Sequence, residues 1–247
     1  MKKVTKICSM LGVLLIIVGF TSEEVTAFQV DEEHIGIVRR FKPDVNIQNF
    51  DIDKFIELSL PDNLGEKLFT GDTLLTEEGG FAVVVFMDKS VAKVKPQSLL
   101  IISGNRELTT NAGDKRIDLM RGEIFLEVQP QGENDFEVST SRSLASVKGT
   151  EFGSTSDGYT WVETGQVDLT AFNSGQTVSL FEYMYGQADV NGNNIDSGTL
   201  TEQQLSSLNE GFDELDEDLI QKEIILRFRD ENGQLRELRI DVFEDVN

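Results

Sequence analysis

Cysteine and histidine are nearly absent from this sequence. The 247 residues include one cysteine, Cys8, and one histidine, His34. A disulfide within the chain is therefore impossible, since it needs two cysteines. A zinc site that contains histidines, or a Ser-His-Asp triad, has very little material to work with. We expect His34 to be an ordinary surface or packing residue.

Positive charge is also scarce. The chain has 22 lysines and arginines against 44 aspartates and glutamates, a formal net charge of -22. A surface this acidic repels phosphate backbones, so we expect no binding to nucleic acid. Net charge of this size favours solubility and carries no information about the fold.

No apolar run is long enough for a typical membrane span. The longest, residues 10–20, follows Lys2, Lys3 and Lys6 and precedes the small residues around Ala27. A bilayer needs about 20 apolar residues, and this charge pattern is typical of an export signal. We expect residues 1–27 to be a cleaved signal peptide that removes Cys8. The mature protein is then exported and is not embedded in the membrane. It is expected in the periplasm, at the cell surface or secreted. The alternative is an uncleaved anchor.

The rest of the chain is dominated by short apolar runs bounded by turn residues. The clearest are residues 81–87, 99–103, 123–128, 136–140, 160–163 and 166–171. Strands at this spacing indicate an all-β sandwich, barrel or solenoid rather than alternating strands and helices.

One such run is interrupted by a glycine. It reads Ala145-Ser146-Val147-Lys148-Gly149-Thr150-Glu151-Phe152. A glycine within a strand pattern indicates a bulge or a close backbone approach, because it has no Cβ to clash. The alternative is a routine strand that contains one glycine.

Several motifs occur in an order that resembles the extracytoplasmic FecR domain of bacterial iron-transport regulators. The most distinctive is Lys148-Gly149-Thr150-Glu151-Phe152. The others are Gly71-Asp72 with the strand that ends at Asp88-Lys89-Ser90, Pro96-x-Ser98, Leu119-x-Arg121-Gly122-Glu123 and Glu163-Thr164-Gly165-Gln166-Val167. The resemblance covers about residues 34–180. Lys89 departs from it, since the family usually has glycine there.

This resemblance implies an all-β domain over residues 28–180, a twisted β-solenoid or jelly-roll-like stack of short strands. Gly149 would be a corner where the chain passes between layers. The motif residues Gly71, Asp72, Lys148, Gly149, Thr150, Glu151 and Phe152 would be structural, with no catalytic residue, metal or cofactor.

The family also implies a function. In the regulators that this chain resembles, the domain lies outside the inner membrane and receives a signal from an outer-membrane transporter, while a cytoplasmic N-terminal region acts on a sigma factor. Only nine residues precede the apolar run. We therefore expect the outside half alone: an exported, non-enzymatic binding, scaffold or signal-sensing domain with a protein partner in the cell envelope.

An Asx-rich stretch follows within residues 181–200. Asp189, Asn191 and Asn193 match positions 1, 3 and 5 of a calcium loop, with Asp196 further on. The match fails at position 12, where Leu200 stands in place of a bidentate glutamate. The alternatives are a calcium site, as in a calcium-dependent surface or adhesion component, or a polar connector made of turn residues.

The C-terminal region predicts a short helix and a hairpin. Thr199 or Thr201 can cap a helix that ends near Asn209, within an Asx-rich and acidic connector at residues 181–221. Residues 222–247 form two alternating runs around Asn-Gly, which is typical of a β-hairpin. Arg227 and Arg229 are expected to face Glu237 and Asp241.

A carboxylate-based glycan hydrolase is the remaining alternative. Glu123, Glu127, Glu151 and Glu163 lie on predicted strands, and two carboxylates can hydrolyse a glycosidic bond. With 44 acidic residues some such pairing is expected by chance. Trp161 fits either a sugar platform or packing. Tyr183 and Tyr185 could mark a binding edge.

Overall fold

The computed structural model describes residues 34–105, 113–212, 219–229 and 234–245. The predicted signal peptide lies outside these residues. Within them, no helix is long and apolar enough to cross a bilayer. Two nine-stranded sheets account for most of the secondary structure.

Sheet 1 contains, from edge to edge, β18 (Ile195–Thr199), β17 (Met184–Ala188), β14 (Tyr159–Thr164), β13 (Glu151–Thr155), β10 (Glu123–Glu127), β7 (Val91–Val94), β6 (Phe81–Phe86), β1 (Gly36–Lys42) and β4 (Glu66–Leu68). Sheet 2 contains β16 (Thr177–Phe181), β15 (Gln166–Ala171), β12 (Ser143–Val147), β11 (Phe136–Ser139), β9 (Lys115–Arg121), β8 (Leu99–Gly104), β5 (Asp72–Thr76), β2 (Val45–Asn49) and β3 (Lys54–Glu57).

The chain passes back and forth between the two sheets. Apart from β3 and β4 at one end, the strands of each sheet follow one another in chain order. Neighbouring strands are antiparallel except for β9 and β11, which are parallel. The all-β expectation is confirmed, whereas the solenoid or jelly-roll form stays a prediction.

The hydrophobic core contains apolar side chains from both sheets. The rings of Phe86 in β6 and Phe136 in β11 meet edge to face, with their centroids 5.4 Å apart. Along β5 the side chains of Asp72, Leu74 and Thr76 are buried and alternate with half-buried residues. A strand with this period-two pattern has one face in the core. Each fully buried large aliphatic side chain contributes about 1.5–3 kcal/mol.

A buried ion pair joins the two sheets. Lys115 in β9 is 3 % exposed, and its Nζ lies 2.9 Å from Oδ2 of Asp88 in the β6–β7 turn. Gln131 Nε2 donates to the same oxygen at 2.8 Å. Burial pushes the pKa of Asp88 up, but the hydrogen bond from Gln131 and the contact with Lys115 lower it more, so the net shift is downward. The charged form of the carboxylate is therefore favoured.

The β6–β7 turn contains Lys89, the residue that departs from the FecR-like pattern. Lys89 has a φ of 72°, in the left-handed region that glycine adopts without cost. The neighbouring Asp88 Oδ1 accepts a hydrogen bond from the Ser90 N–H at 3.0 Å. The turn keeps a glycine-like backbone conformation around a different side chain.

Sheet 1 extends beyond the domain boundary that we predict at residue 180. Strands β17 and β18 pair with each other, and β17 pairs with β14. The Asx-rich stretch is therefore the turn between two strands of the sheet, not a connector that follows the β domain. The turn residues in this stretch hide the strand signal, because the flanking runs are short and polar.

The C-terminal helix and hairpin are present. Helix α1 (Glu202–Asn209) begins after Thr201, which forms a capping box with Gln204. Strands β19 (Leu219–Arg229) and β20 (Leu235–Asp245) pair in a separate two-stranded sheet.

One part of the predicted hairpin register is wrong. Arg227 lies opposite Glu237, as we expect, but Arg229 lies opposite Leu235. Asp241 is four positions beyond Glu237 along β20, and antiparallel pairing places it opposite Glu223.

Candidate functional site

The Lys148-Gly149-Thr150 segment connects the two sheets. It follows β12 in sheet 2 and precedes β13 in sheet 1. Gly149 has a φ of 144°, and a Cβ placed there would lie 3.2 Å from the Cα of Pro130. Backbone conformation and space both favour glycine at this position.

The neighbouring motif residues bind this connection to adjacent segments. Thr150 is buried, and its Oγ1 donates to the Gln166 carbonyl at 2.8 Å. Lys148 Nζ donates to the Asn134 carbonyl at 2.7 Å and pairs with Asp135. Phe152 is fully buried in the core. These contacts hold the connection between the two sheets in place.

The Gly71-Asp72 motif holds the β2–β3 hairpin. Asp72 is 1 % exposed; its Oδ2 accepts from the Phe69 N–H at 2.9 Å, and its Oδ1 accepts from the Phe50 N–H at 3.1 Å. Burial raises the pKa of Asp72, and the two backbone hydrogen bonds only partly offset it. Gly71 has a φ of 89°, and a Cβ there would lie 3.0 Å from the Phe50 ring.

This hairpin presents apolar side chains to solvent. Phe50 is 72 % exposed, Ile52 66 % and Phe55 62 %; we call these three residues the apolar hairpin. Its turn is fixed by the Ile52 N–H, which donates to Asn49 Oδ1 at 3.2 Å. β3 is an edge strand of sheet 2. Apolar groups clustered on an exposed edge are typical of an interaction surface.

A small cavity on the outer face of sheet 1 brings together three of the four predicted carboxylates. Its volume is about 260 Å³, and it is lined by Lys93, Phe125, Glu127, Glu151, Glu163, Asn209 and Phe212. The fourth carboxylate, Glu123, lines a different cavity. Glu127 and Glu151 lie directly opposite each other on β10 and β13.

Glu163 reaches this cavity through a β-bulge. Glu151 lies opposite Thr164 and Phe152 lies opposite Val162, so Glu163 is the extra residue in β14. Glu163 Oε2 accepts a hydrogen bond from Asn209 Nδ2 at 2.6 Å.

Asn209 also binds the only tryptophan. Trp161 Nε1 donates to Asn209 Oδ1 at 2.9 Å, and the Trp161 side chain is fully buried. It forms a second hydrophobic cluster with Phe125, Leu205 and Phe212. We call residues 202–212 the strap, because they cover this face of sheet 1. Trp161 is therefore a packing residue, and the sugar-platform alternative is wrong.

Two lysines neutralise glutamates of this face. Lys93 Nζ lies 2.7 Å from Glu127 Oε1, and the Lys93 side chain is 5 % exposed. Lys95 Nζ lies 2.7 Å from Glu123 Oε1 and 4.2 Å from the Phe212 ring centroid. We did not single out Lys93, Asn209 or Phe212 from the sequence. The sequence does contain one signal for Lys93: it alternates with Lys95 around Val94, at the end of an apolar strand.

The Asx-rich turn satisfies its own carboxylate. Asp189 Oδ1 accepts from the N–H groups of Asn191 and Asn193 at 3.0 and 2.9 Å, and Oδ2 accepts from Asn194 Nδ2 at 3.1 Å. The Asn193 hydrogen bond is the largest cause that lowers the pKa of Asp189. Asp196 lies in β18, opposite Gln187. The described part of the chain holds no group of three or more acidic, histidine or cysteine side chains placed to hold a metal ion.

Tyr183 and Tyr185, the predicted binding edge, lie beside and within β17 of sheet 1. Tyr185 stacks on Tyr159 with ring centroids 5.5 Å apart, and both pack against the strap cluster. Burial is the main cause that raises the pKa of Tyr159, and Tyr185 adds to it. Tyr183 is 39 % exposed. The rings of His34 and Phe69 meet edge to face, with their centroids 6.5 Å apart.

Comparison with known proteins agrees with the motif pattern. The family model described as FecR protein matches residues 72–168. The matched segment includes Asp72 and the Lys148-to-Phe152 motif. No curated protein shows a significant match.

Two crystal structures of a Parabacteroides distasonis protein, provisionally described as an anti-sigma factor, are similar to this chain. Both show 19 % sequence identity and a TM-score of 0.46 over 56 % of this chain. The matched region spans 65 % and 64 % of those chains, less than two thirds of their length.

Proposed function

We propose that this protein is an exported, non-enzymatic FecR-type domain that receives or relays a signal by binding a protein of the bacterial cell envelope. The FecR match over residues 72–168 supports a regulatory role. The predicted signal peptide at residues 1–27 supports a location in the periplasm or at the cell surface.

The apolar hairpin is the single observation that carries this proposal. The buried carboxylate of Asp72, a family-motif residue, accepts a hydrogen bond from the Phe50 N–H. This hydrogen bond positions a loop whose apolar side chains are exposed to solvent. When a partner covers exposed apolar side chains, the buried area stabilises the complex by about 25 cal/mol per Å². A loop that is already held by hydrogen bonds loses less conformational entropy on binding.

The arrangement of the glutamates supports a non-enzymatic role. Glu127 neutralises the buried Lys93, and Glu163 orients Asn209 within the strap. A buried lysine needs a nearby opposite charge to remain ionised. These carboxylates thus have structural partners that account for their positions.

Affinity capture from native cell envelope tests the proposal. The wild-type protein should retain a specific envelope protein that is identified by mass spectrometry. The double variant Phe50→Ser and Ile52→Ser should lose that same protein while its melting temperature stays unchanged, because both side chains are exposed.

Val190→Ser is the matched control. Val190 is 75 % exposed and lies in the β17–β18 turn. This turn is at an edge of sheet 1, whereas β3 is an edge strand of sheet 2. The control variant should capture the partner as the wild type does. Equal capture by the hairpin variant would overturn the proposed surface, and recovery of glycan alone would overturn the proposed function.

A further inference from the structure

A second cavity is built from two family motifs that the proposed function leaves unused. Its volume is about 590 Å³, and the residues that line it include Glu77, Lys95, Gln97, Arg121, Glu123 and Thr155. Residues 95–97, which overlap the Pro96-x-Ser98 motif, form one wall, and Arg121-Gly122-Glu123 forms the other. Small-molecule sites commonly have volumes of about 300–1,000 Å³.

The two walls are held together by tightly fitted backbone. Gly122 has a φ of 90°, and a Cβ there would lie 2.1 Å from Ser98 Oγ. The Glu123 N–H donates to Ser98 Oγ at 3.2 Å. Gln97 adopts a φ of 59°, which is uncommon for a residue with a side chain. Strained residues that persist are concentrated at functional sites.

Two residues of opposite charge contact the Gln97 backbone. The Arg121 Nε donates to the Gln97 carbonyl at 3.0 Å, and the Gln97 N–H donates to the Glu77 carbonyl at 3.1 Å. Both charged side chains are exposed, and neither forms an ion pair with another residue that the structure describes. The other two charges of the cavity, Lys95 and Glu123, neutralise each other at 2.7 Å.

We propose that this cavity binds a short peptide through both of its charged ends. The planar guanidinium of Arg121 can take the peptide carboxylate with its remaining N–H groups. The Glu77 carboxylate can take the peptide ammonium. Gln97 lies between them, where its side-chain amide can pair with the peptide backbone. This site contains no residue of the apolar hairpin. Peptide binding at this site is therefore tested separately from binding of the proposed protein partner.

Three peptides of equal length test the charge requirement. Tri-alanine carries both charges, N-acetyl tri-alanine lacks the ammonium, and tri-alanine amide lacks the carboxylate. Binding is followed by NMR chemical shifts of the Gln97 and Gly122 amides at peptide concentrations up to about 10 mM. Tri-alanine should bind, and each capped peptide should bind about tenfold more weakly.

Variants assign the two ends. Arg121→Gln should weaken tri-alanine binding about tenfold but leave tri-alanine amide unaffected, and Glu77→Gln should do the converse with the acetylated peptide. Glu78→Gln is the matched control, since Glu78 is exposed and does not line the cavity. Saturable shifts that ignore the caps, equal losses in the Glu78 control, or no shifts with any peptide would each overturn the proposal.

Discussion

The packing of Trp161 on Gly153 offers a sharp test of how the strap is attached. These residues lie directly opposite each other on β14 and β13. A Cβ at position 153 would lie 1.9 Å from Trp161 Cζ2 and 2.3 Å from Cε2, where atoms cannot overlap. Gly153→Ala therefore forces the indole to move, and its hydrogen bond to Asn209 must break or lengthen.

The size of the effect follows from the burial of the indole. Overpacking a core typically costs about 1–3 kcal/mol, and complete loss of a buried tryptophan costs about 3–5 kcal/mol. We expect Gly153→Ala to lose about 3 kcal/mol, which lowers the Tm by about 6–12 °C in a domain of this size.

Fluorescence reports the same event locally, because Trp161 is the only tryptophan in the chain. Its emission should shift to longer wavelength in Gly153→Ala as the indole becomes hydrated. Gly79→Ala is the control, since the nearest atom to a Cβ there is Asp44 Oδ2 at 3.2 Å. An unchanged emission maximum and a Tm equal to that of the control would refute the reasoning.

Four further predictions concern single features. Gly149→Val should destabilise the protein by about 1–3 kcal/mol in thermal melting, because valine is strained at a φ of 144°. An unchanged Tm would contradict the proposed structural role of Gly149. Asp72→Asn should cost about 1–3 kcal/mol, because one of its two backbone N–H partners loses its acceptor, as chemical denaturation would show. The lowered pKa of Asp88 predicts stability that is present above pH about 4 and lost as pH falls through the folded-state pKa. Asp88→Asn should flatten that acid limb in urea titrations, and an identical limb would contradict it. Millimolar calcium should leave the Tm unchanged, because Asp189 is already satisfied by its own turn; a clear upward shift would revive the calcium site.

Local sequence signals predicted the local structure well. The helix begins after Thr201, one of the two caps that we predict, because Thr201 and Gln204 form a capping box. The two alternating runs on either side of Asn-Gly pair as an antiparallel hairpin, as that sequence pattern predicts. The family motif lies where the chain crosses from sheet 2 to sheet 1, and its structural role stays a prediction.

Long-range contacts could not be predicted in this way. Trp161 and Asn209 are 48 residues apart, and no periodicity indicates that an asparagine at a helix end covers a tryptophan on a strand. The convergence of Glu127, Glu151 and Glu163 depends on strand register and on one bulge. The exposure of Phe50 could not be read from composition, since a phenylalanine beside a strand is usually buried.

Site-specific photo-crosslinking in intact envelope tests the central claim most directly. A photoreactive residue at position 50 should crosslink to one envelope protein, and the same residue at position 190 should not. Crosslinking to that protein from position 190 but not from position 50 would contradict the assignment of the apolar hairpin as the partner-binding surface.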